Sequence, residues 1–189
     1  MQTTLTAYLA GPDVFLADAV AVGRRKREIC ARHGIEAHYP LDNEVEGGDA
    51  RSVAMTISRL NEELVARCDI VLANLTPFRS PSVDPGTAFE IGFARALGKR
   101  IYGYSAATST LLERTQAFFG LAGDAKTDPQ GCAMENFGLT DNLMIDGAIA
   151  AGGGFIVSKA ESALAAFAAF EELVGRIGQS SGRTDARRL

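Results

Sequence analysis

Short apolar runs, each closed by glycine, proline or polar residues, alternate along the chain with longer stretches whose apolar residues recur every three or four positions. Residues 5–10 (LTAYLA) run into Gly11-Pro12 and predict a first strand followed by a turn. Asp13 is placed to cap a helix over residues 15–32, which would bury Phe15, Ala19, Val22 and Ile29 and stop at Gly34. Residues 35–39 predict a short second strand closed by Pro40, and the polar, glycine-bearing stretch 41–49 reads as a loop. A helix fits 50–67, with Met55, Ile57, Leu60, Leu64 and Val65 as its apolar positions. Further strands are predicted at 70–75, 99–105 and 154–157, and helices at 108–119 and 161–174; 121–130 reads as an exposed loop. The polar tail from Gly178 is expected to fray, leaving one domain over residues 1–177 and a disordered tail at 178–189.

The stretch from the run at 70–75 to Gly98 organises the rest of the chain. Flanked by Asp69 and Thr76-Pro77, the run predicts a buried parallel strand. Asp84-Pro85-Gly86-Thr87 then announces a helix, since aspartate caps well and proline suits the first helical position. The helix is predicted to reach Leu97, with Gly98 just past its end. Inside it stands Glu90, whose helical neighbours Gly86, Thr87, Phe93 and Ala94 include no base. Phe89, Ile91, Phe93, Ala94 and Leu97 make the segment apolar on nearly every side, which is the mark of a buried helix. A carboxylate there costs several kcal/mol or takes up a proton unless another element satisfies it. Chemistry is one reason to keep such a group; a glutamate facing solvent from the helix rim is the plain alternative.

Strands alternating with helices predict a parallel sheet covered on both faces, with ligands at the carboxyl ends of the strands near the switch in strand order. Three loops follow strand ends, at 11–15, 41–46 and 76–84, and all are expected to converge on the start of the Glu90 helix. Neither a G-x-G-x-x-G run nor a P-loop occurs, so the chemistry is expected to rest on carboxylates.

Composition narrows the function classes. A chain of 189 residues with 47% hydrophobic residues suits one domain with a full core. Its net charge of -4 carries no basic footprint for nucleic acid. Cys30, Cys68 and Cys132 are too widely spaced for a metal set and read as reduced thiols of a cytoplasmic protein; His33 and His38 are too few for a metal site. No apolar run is long enough to span a bilayer, and no signal peptide is read before the first strand.

Four separated stretches resemble the nucleoside 2-deoxyribosyltransferases, most closely the kinetoplastid-type branch: YLAGPDVF (8–15), PLDNE (40–44), NLTPFRSPSVDPGTAFEIGFA (74–94) and FGLTDNLMIDGAI (137–149). The likeness covers roughly positions 4–170, in the family's order. It implies a flavodoxin-like, Rossmann-like three-layer sandwich around a central five-stranded parallel sheet. It also implies a cytoplasmic enzyme of nucleoside salvage that needs no cofactor.

The resemblance assigns roles residue by residue. Glu90 matches the nucleophile that attacks the anomeric carbon of a 2'-deoxynucleoside to give a glycosyl ester, and Tyr8 matches the tyrosine that holds it. Asp84, six residues before Glu90, matches the group that receives the sugar hydroxyl end; relatives acting on nucleotides carry serine there, so 5'-monophosphates are expected to be poor substrates. Asn142 and Met144 match residues that a neighbouring subunit supplies to close the sugar pocket, which implies a homodimer or larger homo-oligomer with shared sites. Asn61 departs from the pattern, standing where lactobacillus-type enzymes carry an aspartate that handles the leaving base; an amide cannot act as a general acid but can bond a base edge. Asp42 and Asn43 could share that task. Gly11 belongs to the first loop of the site, and Phe15, Phe78 and Arg79 are candidate walls for the base.

Each residue also has an ordinary structural reading: Tyr8 as a core aromatic, Asp84 as a helix cap, the phenylalanines as core, Asn61 as a solvated helix residue, and Asn142–Met144 as a turn into a buried segment. Three functions are compatible with the same residues: deoxyribosyl transfer between free nucleobases, hydrolysis of 2'-deoxynucleosides through the same ester, and nucleoside binding without catalysis. DPGTAFE lacks the paired glycines of the P-G-G-x-G-T-x-x-E run of phosphoribohydrolases, which ranks that activity below the first two.

Overall fold

In the computed structural model the described residues are 4–42 and 47–185, with side chains described as far as residue 180. Five parallel strands, β1 (Leu5–Ala10), β2 (Ile35–His38), β3 (Ile70–Asn74), β4 (Arg100–Ser105) and β5 (Ile156–Ser158), form one sheet in the order β2-β1-β3-β4-β5. Six helices accompany them: α1 (Ala19–Arg32), α2 (Ala50–Arg67), α3 (Pro85–Ala96), α4 (Leu111–Phe119), α5 (Leu143–Ala151) and α6 (Phe167–Asp185). This is the flavodoxin-like arrangement, and its strand order reverses between β1 and β3.

Period-two alternation explains why the sheet is covered on both faces. Ala7 and Leu9 of β1, with Ile70 and Leu72 of β3, join Ile29 of α1 and Phe170, Leu173 and Val174 of α6 in one core. Tyr8 and Ala10, with Val71 and Ala73, join Val65 of α2, Ile91 and Ala94 of α3 and Ile149 of α5 in the other. A slip of one residue between β1 and β3 would exchange the two sets, so the register Tyr8–Val71 is tightly specified. It also decides that Tyr8 faces α3.

Several elements begin or end elsewhere than the pattern predicts. Residues 12–15 form a 3-10 turn, so α1 starts at Ala19 and Phe15, 57% exposed, is no core residue. Asp13 caps nothing. Its carboxylate is buried against Lys26 Nζ at 2.7 Å, and Nζ also donates to the Tyr104 hydroxyl at 2.8 Å. Glu161 lies ahead of α6 and caps it from outside, accepting from the amides of Ala168 and Ala169. The helix then continues past residue 174, where the pattern predicts its end, through Asp185, and Gly178 lets it pack closely on α1's end: a Cβ there would lie 3.3 Å from His33. α5 is an additional helix, capped by Asn142.

The Asp13–Lys26 pair pins the loop after β1 from below. Asp13 Oδ1 also accepts from Asn74 Nδ2 at 3.0 Å, which ties that loop to the end of β3. Burial pushes the Asp13 carboxyl up and the Lys26 ammonium down, and each group holds the other charged against that pressure. Lys26→Met strands the carboxylate, so urea denaturation at pH 7 should show a loss of about 3–5 kcal/mol. Adding Asp13→Asn should recover part of it; an unchanged denaturation midpoint in K26M would contradict this account.

Candidate active site

α3 and β1 together make the centre of the site. Asp84 caps α3, its Oδ2 accepting from the Thr87 amide at 3.0 Å, and Pro85 occupies the first helical position. This fixes the first turns of α3 and turns Glu90 toward the sheet, where the Tyr8 hydroxyl donates to Glu90 Oε1 at 2.5 Å. Asp84 Oδ1 accepts no hydrogen bond among the described residues, so one oxygen caps the helix and the other is available to a ligand.

Glu90 closes one end of a cavity of about 500 Å³, a size suited to a small organic ligand. α3 lines it with Asp84, Gly86, Thr87 and Glu90; the loop after β1 adds Gly11, Val14 and Phe15; Pro40 and Leu41 come from the turn after β2. Val53, Ile57 and Asn61 form an i, i+4, i+8 stripe of α2 along the far wall. Gly11 is required there by close approach, since a Cβ would fall 2.7 Å from the Asn74 Cβ. A neighbouring groove of about 540 Å³ beside Leu16–Arg24 shares only Val14 and Leu41 with the cavity and holds neither Glu90 nor Asp84.

The electrostatics single out Glu90. Burial first, and then the nearby Asp84 charge, push its carboxyl up to about 7, while the Tyr8 bond works in the opposite direction. The Tyr8 hydroxyl, buried and facing Glu90, is held far above its ordinary range and stays a proton donor at any working pH. The site thus holds a poorly solvated carboxylate, half ionised near neutrality and fixed by one hydrogen bond. Such a group can act as a nucleophile or as a proton acceptor.

Of the residues singled out by sequence, Glu90, Asp84, Gly11, Phe15 and Asn61 line this cavity and Tyr8 supports Glu90. Asn61 Oδ1 is shielded from solvent and has no hydrogen-bond partner among the described residues. Phe78 stacks on Phe15 at 5.3 Å, and the Arg79 guanidinium lies 4.6 Å from the Phe78 ring, so the two extend the Phe15 wall outward. Asp42 is not among the residues that line the cavity: its carboxylate accepts from the Tyr39 amide and pairs with Arg27 in the turn after β2. Asn43 lies outside the described residues.

Asn142 and Met144 do not reach the cavity of their own chain. The Asn142 side chain caps α5 at the Met144 amide and donates to Glu135, while Met144 is 70% exposed. The sequence pattern does not single out Val14, Pro40, Leu41, Val53, Gly86 or Thr87 as site residues, and marks Ile57 only as an apolar position of α2; it is 42% exposed. The α2 stripe was findable, because 53 and 57 precede Asn61 at helical spacing.

Comparison with known proteins agrees with this arrangement. The family model described as nucleoside 2-deoxyribosyltransferase matches residues 7–144. An uncharacterised protein of Schizosaccharomyces pombe is 31% identical, the match spanning 79% of each chain. A solved 2-deoxyribosyltransferase structure from Leishmania mexicana superposes with a TM-score of 0.64 at 34% identity, over 89% of this chain and 97% of that one. A conserved protein of Enterococcus faecalis, 20% identical, shares the fold over 92% of this chain and 99% of that one with a TM-score of 0.58.

Proposed function

This chain belongs to the nucleoside 2-deoxyribosyltransferase family, and from that premise we propose that it moves the 2-deoxyribosyl group between nucleobases through an ester on Glu90. The carboxylate attacks C1' of a 2'-deoxynucleoside, the C1'–N bond breaks, and the base leaves with the electron pair and takes up a proton from solvent. A nitrogen of a second base then attacks C1', the bond between C1' and the ester oxygen breaks, Glu90 is released as carboxylate, and the incoming base gives up its N–H proton to solvent. The observation that carries this reading is the Glu90–Tyr8 pair at the end of a cavity sized for a nucleoside. Burial keeps the carboxylate poorly solvated and therefore reactive, and Val14, Phe15, Leu41, Val53 and Ile57 keep the walls around it apolar.

The free oxygen of Asp84 receives the sugar's 5'-hydroxyl. A 5'-phosphate at the same place would meet a carboxylate at close range, a repulsion of about 4 kcal/mol for unit charges 4 Å apart near a protein surface. Asn61, from the α2 wall of the cavity, bonds an edge of the base through its amide, and Phe15, extended by Phe78 and Arg79, covers the base face. A second copy of the chain closes the cavity with its Asn142–Met144 segment. The support on this chain is the exposed apolar surface of the packed helices α3 and α5, where Phe89 is 57% and Met144 70% exposed.

The test is to incubate the protein with deoxyinosine plus adenine or cytosine, and separately with deoxythymidine, and to follow the products by chromatography. Deoxyadenosine or deoxycytidine should form at the expense of deoxyinosine. Deoxyadenosine should exchange its base far faster than deoxyadenosine monophosphate. Release of free deoxyribose at a rate indifferent to added base would establish the hydrolase reading, and no turnover at all would leave only a binding module.

A further inference from the structure

A second buried ionic pair, outside the Glu90 cavity, contacts the segment that leads into Asp84. Arg114 projects from α4 and is almost wholly buried, as is Asp141, which lies just ahead of α5. Arg114 Nε donates to the Pro81 carbonyl at 2.7 Å; its two terminal nitrogens donate to the Ser109 carbonyl, to the Thr140 carbonyl at 2.6 Å and to Asp141 Oδ2 at 3.3 Å. Asp141 accepts in addition from the Ser82 hydroxyl, from the Val83 amide at 3.0 Å and from the Asn142 amide at 2.8 Å. Pro81, Ser82 and Val83 are therefore all gripped by one pair, immediately before Asp84.

The rest of that loop has few ties to the body of the fold. Ser80 and Ser82 bond each other, and the Phe78 amide bonds the Ser82 carbonyl, so these contacts shape the loop without placing it. Its placement comes from Thr76, whose hydroxyl accepts from the Ala106 amide at 3.0 Å, from the Phe78 ring on Phe15, from the buried Val83 side chain and from the Arg114–Asp141 pair. Of these the ionic pair holds the backbone immediately ahead of Asp84, at the Pro81 carbonyl and the Val83 amide, and hence the direction from which the chain enters Asp84. A charge-assisted bond to a buried backbone group is directional and costly to leave unmade.

We propose that Arg114 and Asp141 are positioning residues that set selection at the 5' end of the sugar, by holding residues 81–83 so that the free oxygen of Asp84 meets the 5'-hydroxyl. The inference rests on the deoxyribosyl-transfer reading of the cavity. Neither residue touches substrate; both act through Asp84.

The experiment compares deoxyadenosine with 2',5'-dideoxyadenosine, which lacks the 5'-hydroxyl, by kcat and KM, with adenine-to-cytosine exchange as the readout. The wild type should prefer the hydroxylated substrate in kcat/KM by about 10- to 100-fold, the range expected for a hydrogen bond to a charged group. Asp84→Ala should erase that preference. Asp141→Asn and Arg114→Met should each shrink it several-fold toward the D84A value, mostly by raising KM for the hydroxylated substrate, and adding D141N to D84A should not change the ratio further. Should D141N fail to fold, Ser82→Ala removes one of the four bonds to the same carboxylate and should shrink the ratio in the same direction. A loss by one common factor on both substrates would make the pair merely structural and overturn the proposal, as would an equal change of ratio in the D84A background. Turnover of both substrates without preference by the wild type would overturn it at Asp84. No turnover of either by the wild type would instead overturn the reading of the cavity itself.

Discussion

Glu90→Gln is expected to abolish deoxyribosyl exchange, by on the order of 10⁴-fold or more, while making the protein more stable at neutral pH. An amide cannot form the ester, so both half-reactions are lost together. The gain in stability follows from burial, which raises the folded carboxyl from its ordinary 4.5 to about 7. A carboxyl raised on folding holds its proton in the native state while the unfolded chain has already released its own. Stability is therefore unaffected below about pH 4.5, falls as pH rises through the window from 4.5 to 7, and stays reduced above it. A difference of this size corresponds to about 3 kcal/mol. Glutamine keeps the shape and can still accept from the Tyr8 hydroxyl, but it never charges. Denaturation curves of wild type and variant should therefore nearly coincide at pH 4.5 and separate by up to about 3 kcal/mol at pH 8, with the variant the more stable. A variant less stable than wild type at pH 8 would mean that Glu90 is well solvated, and retained exchange would mean that it is not the nucleophile.

The same carboxylate shows why some of the site was legible and some was not. Asp84-Pro85-Gly86-Thr87 is a local signal: capping and the proline at the first position depend on neighbours in sequence, and α3 starts where they say. Glu90 stood out because periodicity alone marks a charged group in an apolar helix as needing an outside partner, and Tyr8, on the inward-facing alternation of β1, is that partner. Asp13 was misread by the same kind of rule. Its local context is that of a helix cap, but a lysine thirteen residues later and a tyrosine from β4 reach its carboxylate first, and a buried charge follows its counter-charge rather than the nearest helix. Asp42 likewise pairs with a base distant in sequence, Arg27 of α1. Partner choices across long separations leave no periodicity, which is also why Arg114 and Asp141 passed as ordinary residues of a helix and a loop. The fold needed far less, because five apolar runs separated by amphipathic helices already require a covered parallel sheet.

The second large effect concerns that inward-facing tyrosine. Among the described residues Tyr8→Phe removes the one side-chain hydrogen bond that favours the ionised form of Glu90, leaving burial and the Asp84 charge to raise the carboxyl above its present value of about 7. Its two consequences can be separated by pH. The rate against pH should rise along an acid limb, because only the carboxylate attacks. In the wild type its midpoint should fall near 7, where burial places the carboxyl; in the variant it should move up by roughly one pH unit or more, since a bond to a charged group is worth about 1.5–3 kcal/mol. Above both midpoints the carboxylate is ionised in either protein, and only the loss of orientation at the reacting oxygen remains. Exchange at neutral pH should accordingly fall by about 10- to 100-fold, and part of that deficit should close as pH is raised. The Tyr8 hydroxyl itself does not titrate in the working range, so no alkaline decline of the wild type is assigned to it. A pH series of kcat for deoxyinosine with adenine measures all of this at once. A uniform loss with an unmoved midpoint would mean that Tyr8 only packs against Glu90, and an unchanged rate would remove it from the catalytic group altogether.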